Sequence, residues 1–195
     1  MRKSFFTDII KENPVFLYLL GIVPVLGTTI FASNALIMGG LTFFVLFFSN
    51  ILVNFVKEHL KPQTELFVYI MTTALFTTIA EVFIRLWSME IHLSLGIYMP
   101  LIIVNCLILS ELYATASKEG MKKTLISSLK IGVYFIFAIT IVGVFREFFG
   151  NGSVFNYIII PDSVPKMLIS QTPAGGFFVL AFFCLMANSM RREKK

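Results

Sequence analysis

Charge is scarce in this sequence. Only 14% of its 195 residues are Asp, Glu, Lys or Arg, against 57% hydrophobic residues. A soluble domain carries about 25% charged and about 45–50% apolar residues. A chain this short cannot hide such a composition in a core, so its surface is itself apolar, and lipid is the solvent that tolerates that. Histidine and cysteine are scarcer still. His59 and His92 stand alone in separate polar stretches, which excludes zinc spacing and a haem pair. Cys106 and Cys184 both lie in apolar runs, which excludes a disulfide framework. There is no phosphate loop and no dinucleotide fingerprint. No catalytic residue is assigned, and the chain alone does not describe an enzyme. The N-terminal residues are polar, and no small-residue cleavage site follows the first apolar run, so no cleaved signal peptide is expected.

What is present is a series of apolar runs. About 20 mostly apolar residues are needed for a helix to cross a bilayer. Six segments offer this: roughly Val15–Phe31, Ala35–Val56, Leu66–Trp87, Leu95–Tyr113, Leu125–Phe145 and Gly175–Met190. The long connection from Arg146 to Thr172 holds Gly150, Gly152, Pro161 and Pro165. It reads as an extramembrane loop with Arg146-Glu147 facing water. No soluble domain is left over, so residues 1–195 form a single transmembrane domain.

The basic residues give an orientation. Six spans put both termini on one side, with Arg2, Lys3, Lys11, Lys57, Lys61, Lys118, Lys122, Lys123, Arg191, Arg192, Lys194 and Lys195. The other side has Arg146 and Lys166, with Arg85 near the end of the third span. The rich side is cytoplasmic by the positive-inside rule. The net charge of +5 is therefore an orientation signal. It implies lipid as a partner and no nucleic acid.

An internal repeat is visible. Gly21-Ile22-Val23-Pro24-Val25-Leu26 in the first span resembles Gly96-Ile97-Tyr98-Met99-Pro100-Leu101 in the fourth, and each is followed by an Asn beside a small side chain, Asn34-Ala35 and Asn105-Cys106. Three helices separate the copies, so the second enters from the opposite face. The expected fold is an all-α membrane protein of about six transmembrane helices. They form two inverted three-helix repeats, about 14–87 and about 95–190, with helices broken at Pro24 and Pro100. Such paired interruptions mark either a midplane site or only the proline kinks that membrane helices tolerate.

Few side chains here carry chemistry. Glu81 and Arg85 stand at i, i+4 in the third span, with Glu N-terminal, the favoured order for a helical ion pair. They read as a self-neutralising pair or as a cation site. Glu111 and Glu147 lie near span ends. Cys106 and Cys184 read first as small hydrophobes.

In order along the chain, Lys11-Glu12-Asn13-Pro14-Val15, Leu20-Gly21, Pro24, Asn34-Ala35 and Leu95 through Cys106 resemble one family, the E subunit of the Rnf (Rsx) ion-translocating electron-transport complex. So do Ala116-Ser117-Lys118, Arg146-Glu147 with Gly150-Asn151-Gly152, and Thr172-Pro173-Ala174-Gly175. That subunit is related to the D subunit of the sodium-pumping NADH:quinone reductase. The resemblance implies six spans in two inverted halves. It implies a homologous A-type partner of opposite topology, further Rnf-like subunits, and a bacterial or archaeal plasma membrane. It also implies a two-iron, two-sulfur cluster shared with the partner, each chain giving one Cys from each half. That cluster passes electrons across the bilayer between ferredoxin- and NAD-linked subunits, coupled to Na+ or H+ transport.

Cys106 is the expected ligand of the second half. The family pattern of the first half is Gly-Leu-Cys-Pro; here it reads Gly21-Ile22-Val23-Pro24, and valine cannot bind iron. Gly21, Pro24, Gly96, Pro100 and Asn105 are the expected structural positions. The family's Gly-Arg-Ala-Glu reads Ser110-Glu111-Leu112-Tyr113. Glu81 falls where some relatives carry an acid, which makes it the ion-coupling candidate. Cluster iron demands thiolates, so this chain alone is expected to bind no cluster. The alternative is a divergent, non-redox relative acting as a structural partner or as a carrier of ions or small solutes.

Overall fold

A computed structural model describes residues 14–155, 157–158 and 168–192. The motif residues Lys11, Glu12 and Asn13, the loop residues Pro161, Pro165 and Lys166, and the terminal Arg2, Lys3, Lys194 and Lys195 lie outside them.

The described chain is helical apart from one small hairpin. Two short helices come first, α1 (Pro14–Tyr18) and α2 (Ile22–Thr28). α3 (Ala32–Val56) follows, an uncharged run that passes into a 3-10 turn at Lys57–His59. α4 (Glu65–Trp87) ends at Ser88, whose extended backbone stops the helix and whose Oγ accepts from Ile91 N, capping α5 (Met89–Leu95). A 3-10 turn at Pro100–Ile102 leads to α6 (Cys106–Glu111), which continues as a π-helical turn over Leu112–Ala116. α7 (Met121–Asn151) has 31 residues, about 46 Å at the α-helical rise. The strands β1 (Ser153–Val154) and β2 (Tyr157–Ile158) pair antiparallel, with Ser153 opposite Ile158. A 3-10 turn at Leu168–Gln171 then leads into α8 (Pro173–Arg192).

Among the described residues three helices are long and apolar enough to cross a membrane: Ala32–His59, Glu65–Trp87 and Met121–Asn151. A fourth span results if Met89–Leu95 and Pro100–Ala116, bent by 55° at their break, are counted as one. Pro173–Ser189 is a shorter apolar helix. Leu66, Phe67, Leu86, Trp87, Phe178 and Leu185 are all exposed, as lipid-facing side chains are.

Two expectations need correction. The first interruption is not at Pro24. It lies at Leu19–Gly21, where Leu19 (φ 56°) and Gly21 (φ 77°) adopt left-handed backbone. Pro24 is the third residue of α2, within the first turn, where no intrahelical N–H bond is required of it. In the second copy the break does contain Pro100, between Gly96 and the extended Asn105. The other correction concerns Arg146-Glu147. α7 runs six residues past the expected span end, and both side chains are buried.

Contacts divide the chain into two compact units: the chain up to Ile37 together with Tyr134 onward, and Met38–Val133. In the first unit Phe16 of α1 stacks on Phe183 of α8, centroids 5.7 Å apart, and Phe145 of α7 meets Phe183 edge-on at 5.2 Å. Gly143 lets α7 lie directly on the start of α3, since a Cβ there would stand 2.8 Å from that of Ala35. In the second unit Phe48 of α3 packs on Phe76 of α4 at 5.7 Å, and Gly132 of α7 leaves room for the ring of Phe43.

Candidate functional site

In the first unit the end of α2 and the turn leading into α8 converge on Arg146. Its guanidinium donates to five oxygens: Nε to Ser170 O at 3.0 Å, Nη1 to Leu26 O at 2.8 Å and Thr29 Oγ1 at 2.6 Å, and Nη2 to Gln171 O at 3.2 Å and Thr172 O at 3.1 Å. Leu26 is in the last turn of α2, where carbonyls lack intrahelical partners and a cation is favoured. Glu147 does the converse. Its Oε2 accepts from Ala32 N, the first residue of α3, at 2.8 Å, and its Oε1 accepts from Ser153 Oγ at 2.9 Å. One dipeptide thus seals the helix end before the α2–α3 turn and the helix start after it. Gly176 is needed beside it, because a Cβ would come within 3.1 Å of Arg146 Nη1. Gln171 Nε2 donates to Asn151 Oδ1, tying the start of α8 to the end of α7.

In the second unit the broken fourth segment leaves backbone groups that neighbours satisfy. Thr73 of α4 donates to Ile103 O at 3.1 Å, the kind of threonine bond that makes irregular backbone tolerable in a membrane. Asn105 caps α6, its Oδ1 accepting from Leu107 N at 3.0 Å. Asn54 of α3 binds across to two other elements: its Nδ2 donates to Ala116 O and Glu119 O, both at 3.0 Å, and to Thr124 Oγ1 at 3.1 Å. Lys57 Nζ also donates to Glu119 O.

The predicted site residues fall as follows. Gly21 is the left-handed residue before α2, and Gly96 follows α5. Cys106 is the first residue of α6 and is exposed. Val23, on α2, is 56% exposed. Cys184 is half-buried and lines an apolar groove of about 710 Å³ in the first unit, together with Leu19 and Ile22 beside the first break. Glu81 is half-buried, Arg85 is exposed, and the two make no ion pair within 4.0 Å. Among the described residues no three of His, Cys, Asp and Glu converge. At the two expected ligand positions the donor set carries one thiol, Cys106, and one hydrocarbon, Val23, so it does not fit the full contribution of one chain to the expected shared cluster.

Sequence reasoning missed the burial of Arg146, Glu147 and Glu111, and the role of Asn54. One signal was legible: Asn50 and Asn54 stand at i, i+4 in an otherwise apolar helix, which puts two amides on one face.

Helices of membrane length and irregular segments held by polar side chains define a class of membrane protein, and direct comparison agrees with it. A family profile described as "Rnf-Nqr subunit, membrane protein" matches residues 1–184, and the chain belongs to that family. Among its relatives, the chain is 33% identical over 174 residues to the E subunit of the proton-translocating ferredoxin:NAD(+) oxidoreductase complex of Clostridium ljungdahlii, covering 89% of this chain and 82% of that one. It is 31% identical over 186 residues to the E subunit of the Na(+)-translocating ferredoxin:NAD(+) oxidoreductase complex of Acetobacterium woodii, covering 95% of each. The E subunit of the ion-translocating oxidoreductase complex of Shewanella baltica matches at 30% over 198 residues, 95% of this chain and 85% of that one.

Proposed function

We propose that this chain is the E-type membrane subunit of an Rnf-like ion-translocating oxidoreductase complex. In that role it helps electrons cross the bilayer between ferredoxin- and NAD-linked subunits while Na+ or H+ is moved. The carrying observation is the match to E-type relatives over nearly the whole chain. The reading includes six spans in two inverted halves, both termini in the cytoplasm, a plasma-membrane location, and an A-type partner of opposite topology. Apolar helices of membrane length and two irregular Gly-containing segments support it. Within it, Arg146 and Glu147 hold the α2–α3 turn, and Asn105 and Thr73 hold the second irregular segment at Cys106. A cluster shared with the partner would supply one-electron transfer, and Cys106 is the residue of this chain that would reach it.

Val23 favours a second reading, a relative that keeps the fold without the redox wiring. One experiment separates the two. The tagged chain is purified from its native membrane, and the companion subunits, the iron content and the ferredoxin-dependent reduction of NAD are measured. Flavin- and iron-bearing companions with an activity lost on deleting this chain support the first reading. A complex lacking both supports the second. Reporter fusions at Glu58 and Lys118 should read cytoplasmic and one at Val154 external; a cytoplasmic signal at Val154 overturns the six-span topology.

A further inference from the structure

Buried polar atoms in a lipid-embedded protein are costly unless bonded. In the second unit the bonding is complete at one level and incomplete at the next. Asn54 ties α3, the π turn and the start of α7 together through Ala116 O and Thr124 Oγ1. That sets the register. By helical register, stepping about one turn away from the Lys57–Glu119 end takes Asn54 to Asn50 on α3, Ala116 to Glu111, and Thr124 to Ser127 on α7. The Ser127 and Thr115 side chains face the Glu111 carboxyl, which agrees with that register. Glu111 is 5% exposed and its Oε1 has no hydrogen-bond partner; the same is true of the buried Asn50 Oδ1 and Ser49 Oγ. Asn50 Nδ2 is held by Leu46 O at 2.8 Å, so its oxygen is fixed as an open acceptor.

No basic side chain among the described residues forms an ion pair with Glu111. Lys57 lies on Glu119 O, Lys123 pairs with the Glu119 carboxylate, and Lys118 sits over the Tyr113 ring at 4.3 Å. The Tyr69 hydroxyl of α4 reaches Glu65 Oε2 at 3.4 Å, and Lys130 of α7 is exposed. A buried carboxylate with one unbonded oxygen, an unbonded amide oxygen at the level the register gives, and hydroxyls beside the carboxyl match the oxygen ligation that small hard cations take. A π-helical turn directly after the carboxylate is a frequent mark of a functional position.

We propose that Glu111, with Asn50 Oδ1 and the Ser127 hydroxyl, is a cation site in this subunit, loaded by a proton or by a sodium ion. This rests on the reading of the chain as part of an ion-translocating complex, and it assigns the ion to a residue other than Glu81. The test uses the whole complex. Infrared difference spectra are recorded with sodium against choline, and across pH, for the natural chain, Glu111→Gln and Asn50→Ala. A protonated-carboxyl band that disappears on adding sodium and is missing in Glu111→Gln identifies sodium. A Glu111 band that responds to pH alone identifies the proton. In vesicles, Glu111→Gln should lose ion uptake. Asn50→Ala should raise the ion concentration needed by about tenfold, a loss of one ligand's worth of affinity. If Glu111→Gln does not assemble, Asn50→Ala decides alone. Unchanged ion uptake in the assembled variant, or no carboxyl band assignable to Glu111, overturns the site and leaves the subunit reading intact. Failure of the natural complex to move any ion overturns that reading instead.

Discussion

Arg146-Glu147 in one unit and Glu111 in the other are charged side chains buried among apolar residues, and the chain treats them oppositely. Arg146 donates to five oxygens and Glu147 accepts from the backbone of a helix start and from a serine. Opposite charges on adjacent residues cap opposite helix ends, so burial is compensated and the turn between α2 and α3 is rigid. Glu111 is nearly as deep, yet one of its oxygens meets nothing. A fully bonded buried charge holds structure. A buried charge with an unbonded oxygen keeps an acceptor free for a ligand.

The sharpest way to break this comparison is to remove the compensation. Arg146→Met leaves buried carbonyls on α2 and before α8 without donors, and Glu147 without its neighbouring cation. It should destabilise the complex by about 3–5 kcal/mol, the usual loss when one partner of a buried charged network is removed. The readout is the thermal midpoint of the detergent-purified complex. A midpoint equal to that of the natural protein would show the knot to be dispensable.

Asn54→Ala sharpens the contrast within the second unit. It removes bonds to Ala116 O, Glu119 O and Thr124 Oγ1 and should cost about 1–2 kcal/mol, the range for polar contacts between membrane helices. Ion uptake should weaken with it, because the register that aligns Asn50, Glu111 and Ser127 is loosened. Lost stability with unaltered uptake would detach Asn54 from the cation site.

The smallest effect is expected at Glu81. It is half-buried, and Arg85 is not within ion-pair distance, so Glu81→Gln should move the midpoint by less than about 0.5 kcal/mol, as surface changes do. Its ion uptake should stay near that of the natural protein. A loss matching that of Glu111→Gln would return the coupling role to Glu81.

Much of this was legible in the sequence, for reasons that differ by element. Ala35–Val56 and Leu66–Trp87 were readable as spans because an unbroken apolar run of membrane length has few other uses, and both became long helices. Gly21 was readable as an interruption because it takes a left-handed conformation most residues avoid. Pro24 misled: a proline breaks a helix only beyond its first turn, and where the helix begins is a tertiary matter. Arg146-Glu147 misled because a charged pair near a span end resembles the start of a polar loop.

By itself, then, the sequence determined the solvent of this protein, the position of its long helices and its family, since apolar length and motif order are local properties of the chain. Only the tertiary structure decided what its buried charges do. Glu147 finds its partner at Ala32, 115 residues away, and Asn54 finds Thr124, 70 residues away. No pattern within one helix shows whether a carboxylate will meet a backbone N–H, as Glu147 does, or keep an oxygen unbonded, as Glu111 does. That depends on which other helix end is brought beside it.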